Sequence, residues 1–338
     1  MGPGGPPAAR RFTACPVIML PLKFLVAFLV LALLAATSLF VGVSDVSLAA
    51  IWSGDRTAML VLMESRIPRL LALIFAGAGM AVSGTIMQML ARNRFVEPST
   101  AGTVEWASLG MLSVLLLAPG LPVYVRMLVS TGFALAGTAI FLLVLRKIPL
   151  RSPLMVPLIG IMLGGVVDAG TTFFAYRYDM LQSLASWTTG DFSAVLRGRY
   201  ELLWVSLFLT LLAYVAADRF TVIGMGEEFA TNLGLNYRRV TAFGLVIISV
   251  VTACVVVTVG MVPFVGLIVP NIVSMTTGDS LRKSLPWVAL CGSGLVLACD
   301  IIGRLVIAPF EIPVGTVLGA VGSAFFLYLV LRRQAGVA

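Results

Sequence analysis

The sequence predicts an all-α polytopic membrane protein of about ten transmembrane helices. Three observations predict it. Of 338 residues, 59% are hydrophobic and only 11% are charged, whereas a soluble chain needs about a quarter charged residues to coat its surface. Mean hydropathy is +1.05. Apolar runs of helical length recur almost from end to end, and a bilayer core of about 30 Å takes about 20 helical residues to cross. They leave no room for a soluble appendage, so residues 17–338 read as a single membrane domain.

Taken in order, residues 1–16 are rich in Gly and Pro and contain Arg10-Arg11, the pattern of a flexible cytoplasmic tail. The stretch from Val17 to Val43 is broken only by Lys23 and a few small residues. It is too long for a signal-peptide core and lacks a small-residue cleavage site, so it predicts a first span over 20–42. Further spans are predicted over 67–91, 101–118, 124–145, 153–176 and 201–217. Between Val240 and Thr277 lie 38 nearly uncharged residues. At about 1.5 Å per residue they are too long for one helix and sufficient for two, and Gly260 and Pro263 mark the break. Spans over 286–303 and 313–331 complete the ten.

Lys and Arg set the orientation, because cytoplasmic loops carry their excess. With the N-terminus inside, 15 of the 23 basic residues fall on the cytoplasmic side and both termini are cytoplasmic. The remaining eight are all arginines: Arg56, Arg66, Arg69, Arg126, Arg177, Arg197, Arg199 and Arg304. Eight exceeds what the rule predicts, so these outer arginines call for a reason of their own.

Several function classes are excluded. Histidine is absent, which removes the commonest metal ligand and general base. Cys15, Cys254, Cys291 and Cys299 have no paired spacing and read as small hydrophobes. There is no G-x-x-x-x-G-K-[ST] loop to cradle ATP, no Ser/His/Asp set, no metal-spaced carboxylate cluster and no Gly-rich dinucleotide turn. The chain reads as a transport subunit and not an enzyme, with its energy or gating supplied elsewhere and no cofactor or metal of its own. Membrane lipid is an expected partner and nucleic acid is not.

Two carboxylates lie within predicted spans. Asp168 sits mid-helix in Gly164-Gly165-Val166-Val167-Asp168-Ala169-Gly170. A charge at that depth faces a cavity or a partner and not lipid, so Asp168 either lines a path or packs, hydrogen-bonded, between helices. Asp300 precedes Arg304 by four residues, one helical face, which predicts a structural ion pair near the outer surface.

Four segments carry a resemblance. The first is Arg66-Ile67-Pro68-Arg69-Leu70-Leu71, with Ala78-Gly79-Met80-Ala81-Val82-Ser83-Gly84-Thr85-Ile86-Met87-Gln88 and Arg92-Asn93-Arg94-Phe95-Val96-Glu97-Pro98. The second is Gly226-Glu227-Glu228-Phe229-Ala230-Thr231-Asn232-Leu233-Gly234. The third is Val265-Gly266-Leu267-Ile268-Val269-Pro270-Asn271. The fourth is Asp300-Ile301-Ile302-Gly303-Arg304, with Glu311-Ile312-Pro313-Val314-Gly315 and Phe325-Phe326-Leu327-Tyr328-Leu329. Spanning about residues 66–330 in order, they make the chain similar to the FecCD-like iron-chelate and cobalamin permeases of type II ATP-binding-cassette importers.

The resemblance implies a ten-helix permease of the type II importer fold in the bacterial inner membrane. It implies a second permease subunit, identical or different, two ATP-binding subunits that carry ATP and magnesium, and a periplasmic siderophore-binding protein above. It implies docking of that protein on Arg66, Arg69 and Arg304, a role in which charged rims favour fast, oriented encounter; headgroup snorkelling is the alternative reading of these residues. It implies that Gly226, Glu227, Glu228, Ala230, Leu233 and Gly234 form a coupling loop gripped by the ATPase, where their alternation otherwise reads as a surface turn. Asp168, Thr171 and Thr172 become candidates for the path wall, Ser152 for the inner gate, and Asn271 for a broken helix lining the path. Asn271 stands where many relatives have histidine, which resembles a subgroup handling ferric siderophores of catecholate and related types. Import of cobalamin or haem is the alternative within the family. From another class, an ion-coupled secondary transporter would use Asp168 and Asp300 as coupling carboxylates.

Overall fold

The computed structural model describes residues 19–42, 52, 55–148 and 155–335. The tail over 1–16 and Ser152 therefore lie outside the described residues. Among those described, every regular element is helical. In chain order these are α1 (Met19–Phe40), α2 (Arg56–Val61), a π-helical turn (Leu62–Arg66), α3 (Ile67–Leu90), α4 (Thr103–Leu117) and α5 (Val123–Lys147). Then follow α6 (Met155–Arg177), α7 (Leu181–Thr188), α8 (Leu203–Val215), α9 (Ala217–Gly224) and α10 (Glu227–Asn232). The last are α11 (Tyr237–Val259), α12 (Val265–Thr277), α13 (Leu281–Leu305) and α14 (Val314–Ala335).

Among the described residues six helical runs are long and apolar enough to cross a membrane, and α8 with α9 makes a seventh if read as one broken span. Shorter apolar helices α4, α12 and α14 occupy the three remaining predicted spans. The break at Gly260 and Pro263 is where the sequence predicts it: Gly260 takes φ +84° and α12 restarts after Phe264 at φ +64°. Two features differ from expectation. The span predicted from residue 67 belongs to a continuous run of 35 residues, Arg56–Leu90. At about 1.5 Å per residue it reaches about 52 Å, well beyond a bilayer core. Asp55 caps its start by accepting from Thr57 N at 2.9 Å. The span predicted over 201–217 ends at a 68° bend, beyond which the chain continues as α9 with Asp218 and Arg219 in its first turn.

Between membrane helices no hydrophobic driving force operates, so small residues that let backbones approach decide the packing. α3 is the centre: 83% of its most apolar stretch is buried, against 6% for α1. A Cβ on Gly77 would lie 2.6 Å from Gly292 O on α13, and one on Gly84 would lie 2.2 Å from Gly266 Cα on α12. Ser293 ties the same crossing by donating to Ile74 O at 2.9 Å. α1 rides on the outside of α13 through the Phe24–Trp287 edge contact at 5.2 Å and leaves Leu22, Leu25, Phe28, Leu29 and Leu33 exposed.

Candidate functional site

At one end of the bundle the three arginines singled out above converge. Arg69 donates to Asp300 Oδ1 from Nε at 3.1 Å and Nη2 at 2.7 Å, and to Glu311 Oε2 from Nη1 at 2.8 Å. Arg304 pairs with the other Asp300 oxygen and donates to Ser38 Oγ at 2.7 Å and Val41 O at 2.8 Å. Arg66 also donates to Val41 O. The predicted i,i+4 pair of Asp300 and Arg304 is thus formed, within a larger network that binds α1, α3, α13 and the α13–α14 loop. Ser38 and Glu311 complete it, and the sequence signals neither because their partners are remote in the chain. Arg66 and Arg304 are 8% and 5% exposed and Arg69 is mostly covered. These guanidinium groups are therefore not a solvated rim but the interior of a cluster with three cations and two carboxylates. The surface above it is apolar, with Leu305, Val306, Ile307 and Phe310 exposed.

At the opposite end, α10 is held between two glycines with positive φ, Gly226 at +116° and Gly234 at +78°. Gly234 N donates to Thr231 O at 2.9 Å and Leu235 N to Ala230 O at 3.0 Å, the pair of hydrogen bonds that closes a helix through a left-handed residue. Glu227, Glu228, Phe229 and Leu233 are exposed on this knob. Ala230 is fully buried and anchors it, so Ala230 does not belong to the presented surface.

The broken helix α12 is supported residue by residue. Pro270 has no N–H to give Gly266 O, its i−4 acceptor. Gln88 Nε2 supplies the missing donor to Gly266 O at 3.2 Å. Asn271 Nδ2 donates to Leu267 O at 2.7 Å and Arg94 O at 2.8 Å. Buried and so committed, Asn271 braces the α3–α4 loop and does not offer its amide to an open path. The N-terminus of α12 is capped from a distance: Glu97 Oε1 accepts from Phe264 N at 2.7 Å and from Ser99. Glu97 is fully buried, and burial pushes its carboxyl up to about 7 against the opposing pull of those bonds. Gln88 and Glu97 lie inside the first resembling segment; nothing local in the sequence signals that their partners are on α12.

On α6 the exposed residues Ile161, Gly165, Asp168, Thr172 and Tyr176 form one stripe. Thr171 turns inward and spends its hydroxyl on Val167 O at 2.8 Å. Asp168 and Thr172 thus share an open face and Thr171 does not. Behind them stands Glu105 of α4, which no motif or spacing in the sequence marks. Its carboxyl carbon lies 3.3 Å from where a Gly164 Cβ would be, and its Oε2 is buried with no hydrogen-bond partner among the described residues. Only 22% of the most apolar stretch of α6 is buried. An acid on so open an apolar helix requires water or another protein surface beside it.

A family model described as the FecCD transport family matches residues 28–332. The chain belongs to that family. It is similar to the petrobactin import system permease protein YclN of Bacillus subtilis, with 48% identity over 91% of this chain and 98% of that one. It is 43% identical to the ferric-anguibactin transport system permease protein FatD of Vibrio anguillarum, over 88% of this chain and 95% of the relative. Among solved structures, a metal-chelate type ABC transporter in an inward-facing conformation superposes with a TM-score of 0.78 at 26% identity, covering 92% of this chain and 99% of that one. The FecCD permease is thus a multi-pass membrane transport subunit, as the resemblance implied. Within the described residues no group of three or more metal-ligating acids, cysteines or histidines occurs.

Proposed function

We propose that this FecCD permease forms the membrane path of an ATP-driven importer for ferric–siderophore complexes. The observation that carries the reading is the 43–48% identity, over nearly the full chain, to permeases named for petrobactin and anguibactin import. In this reading the chain lies in the bacterial inner membrane with both termini cytoplasmic. Its open α6 face, with Asp168 and Thr172, meets a second permease subunit across the path. The α10 knob, through Glu227, Glu228, Phe229 and Leu233, enters a groove on an ATP-binding subunit that carries ATP and magnesium. A siderophore-binding protein docks over the Arg66, Arg69 and Arg304 cluster. There the excess positive charge sets the field under the apolar rim, and Glu311 or Asp300 must yield a guanidinium if the partner is to contact one directly. A ferric ion already wrapped by its chelator needs no ligand from the path, in keeping with a wall that is apolar apart from a few polar groups.

The test is uptake of a panel of labelled ferric siderophores by cells lacking only this chain. Loss for one siderophore class, restored by the wild type and not by Gly234→Arg, supports the reading. Unchanged uptake of every ferric siderophore overturns it, and restored cobalamin or haem uptake would then redirect the substrate within the family.

A further inference from the structure

A cavity of about 540 Å³ opens at the α10 end of the bundle, between the last turn of α3, α9, the end of α12 and the start of α13. The transport reading assigns it no role. Two polar side chains in its wall are more than nine-tenths buried yet keep an atom uncommitted. Gln88, 7% exposed, spends its amide nitrogen on Gly266 O and has no donor for Oε1 among the described residues. Ser284, 5% exposed, has a hydroxyl with no hydrogen bond among them. Both side chains line the cavity and leave these oxygens available to whatever occupies it.

The charges define its sign. Arg92 lines the cavity from the left-handed position that closes α3, at φ +48°. That conformation costs a residue with a Cβ about 1–2 kcal/mol. Its guanidinium lies beside Gly226 and meets no carboxylate among the described residues. Arg94 on the lip is paired with Asp279 at 2.7 Å, so that carboxylate does not cancel Arg92. Another wall is the N-terminus of the 25-residue α13, where Ser280 makes no side-chain cap, Thr221 Oγ1 accepts from Leu281 N at 3.2 Å, and the helix dipole favours an anion. Gln88 Oε1, an acceptor, asks for a ligand hydroxyl as well as negative oxygens.

We propose that this cavity binds a hydroxyl-bearing phosphate: the headgroup of an anionic phospholipid such as phosphatidylglycerol, or phosphate free in solution. Arg92 and the α13 N-terminus take the charge, Ser284 donates to a phosphate oxygen, and Gln88 accepts from the hydroxyl. A basic pocket between membrane helices suits a lipid headgroup. The proposal is independent of the transported substrate.

The test uses the purified full chain in phosphatidylcholine nanodiscs with and without phosphatidylglycerol, and separately with inorganic phosphate. Retained lipid is counted by native mass spectrometry and stability is followed by thermal melting. Arg92→Gly removes the cation without strain, because glycine suits its φ. Ser284→Val removes the hydroxyl. Arg239→Ala is the control for charge on the same side. Wild type and Arg239→Ala are expected to retain phosphatidylglycerol and to melt higher with it, with apparent affinity reduced about tenfold in Arg92→Gly by loss of one charge-assisted bond. An equal response to inorganic phosphate identifies a free-anion site; a response to the lipid alone identifies a headgroup site. If neither probe distinguishes wild type from Arg92→Gly and Ser284→Val, or if Arg239→Ala loses as much, the proposal falls.

Discussion

Asp300→Ala is the sharpest perturbation of the arginine cluster. The Asp300 carboxylate has no exposed surface and accepts two bonds from Arg69 and one from Arg304. Its removal leaves Glu311 as the remaining carboxylate of the described cluster against three guanidinium groups. Deleting one partner of a buried ion pair costs about 3–5 kcal/mol, since the charge left behind is desolvated and unpaired. The lower figure applies here, because Arg69 keeps Glu311 at 2.8 Å and Arg304 keeps Ser38 and the Val41 carbonyl. At about 2–3 °C per kcal/mol for a large chain, a loss of about 3 kcal/mol lowers the melting temperature by about 6–9 °C. The assay is fluorescence-detected size exclusion of heated, detergent-solubilised protein. Asp300→Asn, which keeps the shape and loses the charge, should fall between. Ser38→Ala removes one acceptor and should cost about 1 kcal/mol. An Asp300→Ala protein that melts within a degree of wild type would refute the view that the cluster is held by its own carboxylates.

Gln88→Leu strands Gly266 O and should cost about 1–3 kcal/mol; adding Pro270→Ala returns an N–H to that carbonyl, so the pair measured together should cost less than the sum. Gly84→Leu drives a side chain into Gly266 Cα, 2.2 Å from the required Cβ, and should abolish folded protein in a membrane-fraction blot. Leu233→Asp on the α10 knob should abolish uptake while melting as wild type does. For Glu97, burial raises the carboxyl from 4.5 to about 7, so the folded protein holds this proton more tightly than the unfolded chain. Its contribution is complete below about pH 4.5 and is lost as pH rises towards about 7, by about 3 kcal/mol in all. Melting curves between pH 5 and pH 8 should show that decline in wild type and not in Glu97→Gln.

What was legible in the sequence was local. The ten apolar segments follow from the cost of burying backbone and charge in lipid, and the helix break followed from Gly260 and Pro263. The Asp300–Arg304 pair spans one turn, and the α10 knob is written in nine consecutive residues, Gly226 to Gly234. What was hidden depends on contacts far apart in sequence. Gln88 serves a carbonyl 178 residues away, and Arg69 meets Asp300 across 231. Neither distance leaves a periodic trace. The three arginines were found for their position and charge, but their burial could not be: it depends on Ser38, Val41 and Glu311 arriving at the same place. Asn271 was noticed as a departure in a motif, and only the fold reveals that both its donated bonds are spent on backbone. Asp218 and Arg219 mark where the apolar run of α8 stops, but the 68° turn into α9 left no trace because hydropathy counts residues and not directions.

The glycine contacts of α3 also divide the molecule mechanically. Gly77 against Gly292 and Gly84 against Gly266 leave room only for hydrogen atoms, so α3, α12 and α13 cannot slide or rotate past one another without a steric collision. They are expected to travel as a single trunk, with Glu97, Gln88 and Asn271 as its pins. α6 has no such interlock with that trunk and touches the rest of the chain along a minority of its surface. Gly160 and Gly164 bear on the 100–102 segment, so a displacement of α6 against the trunk would have to pivot there.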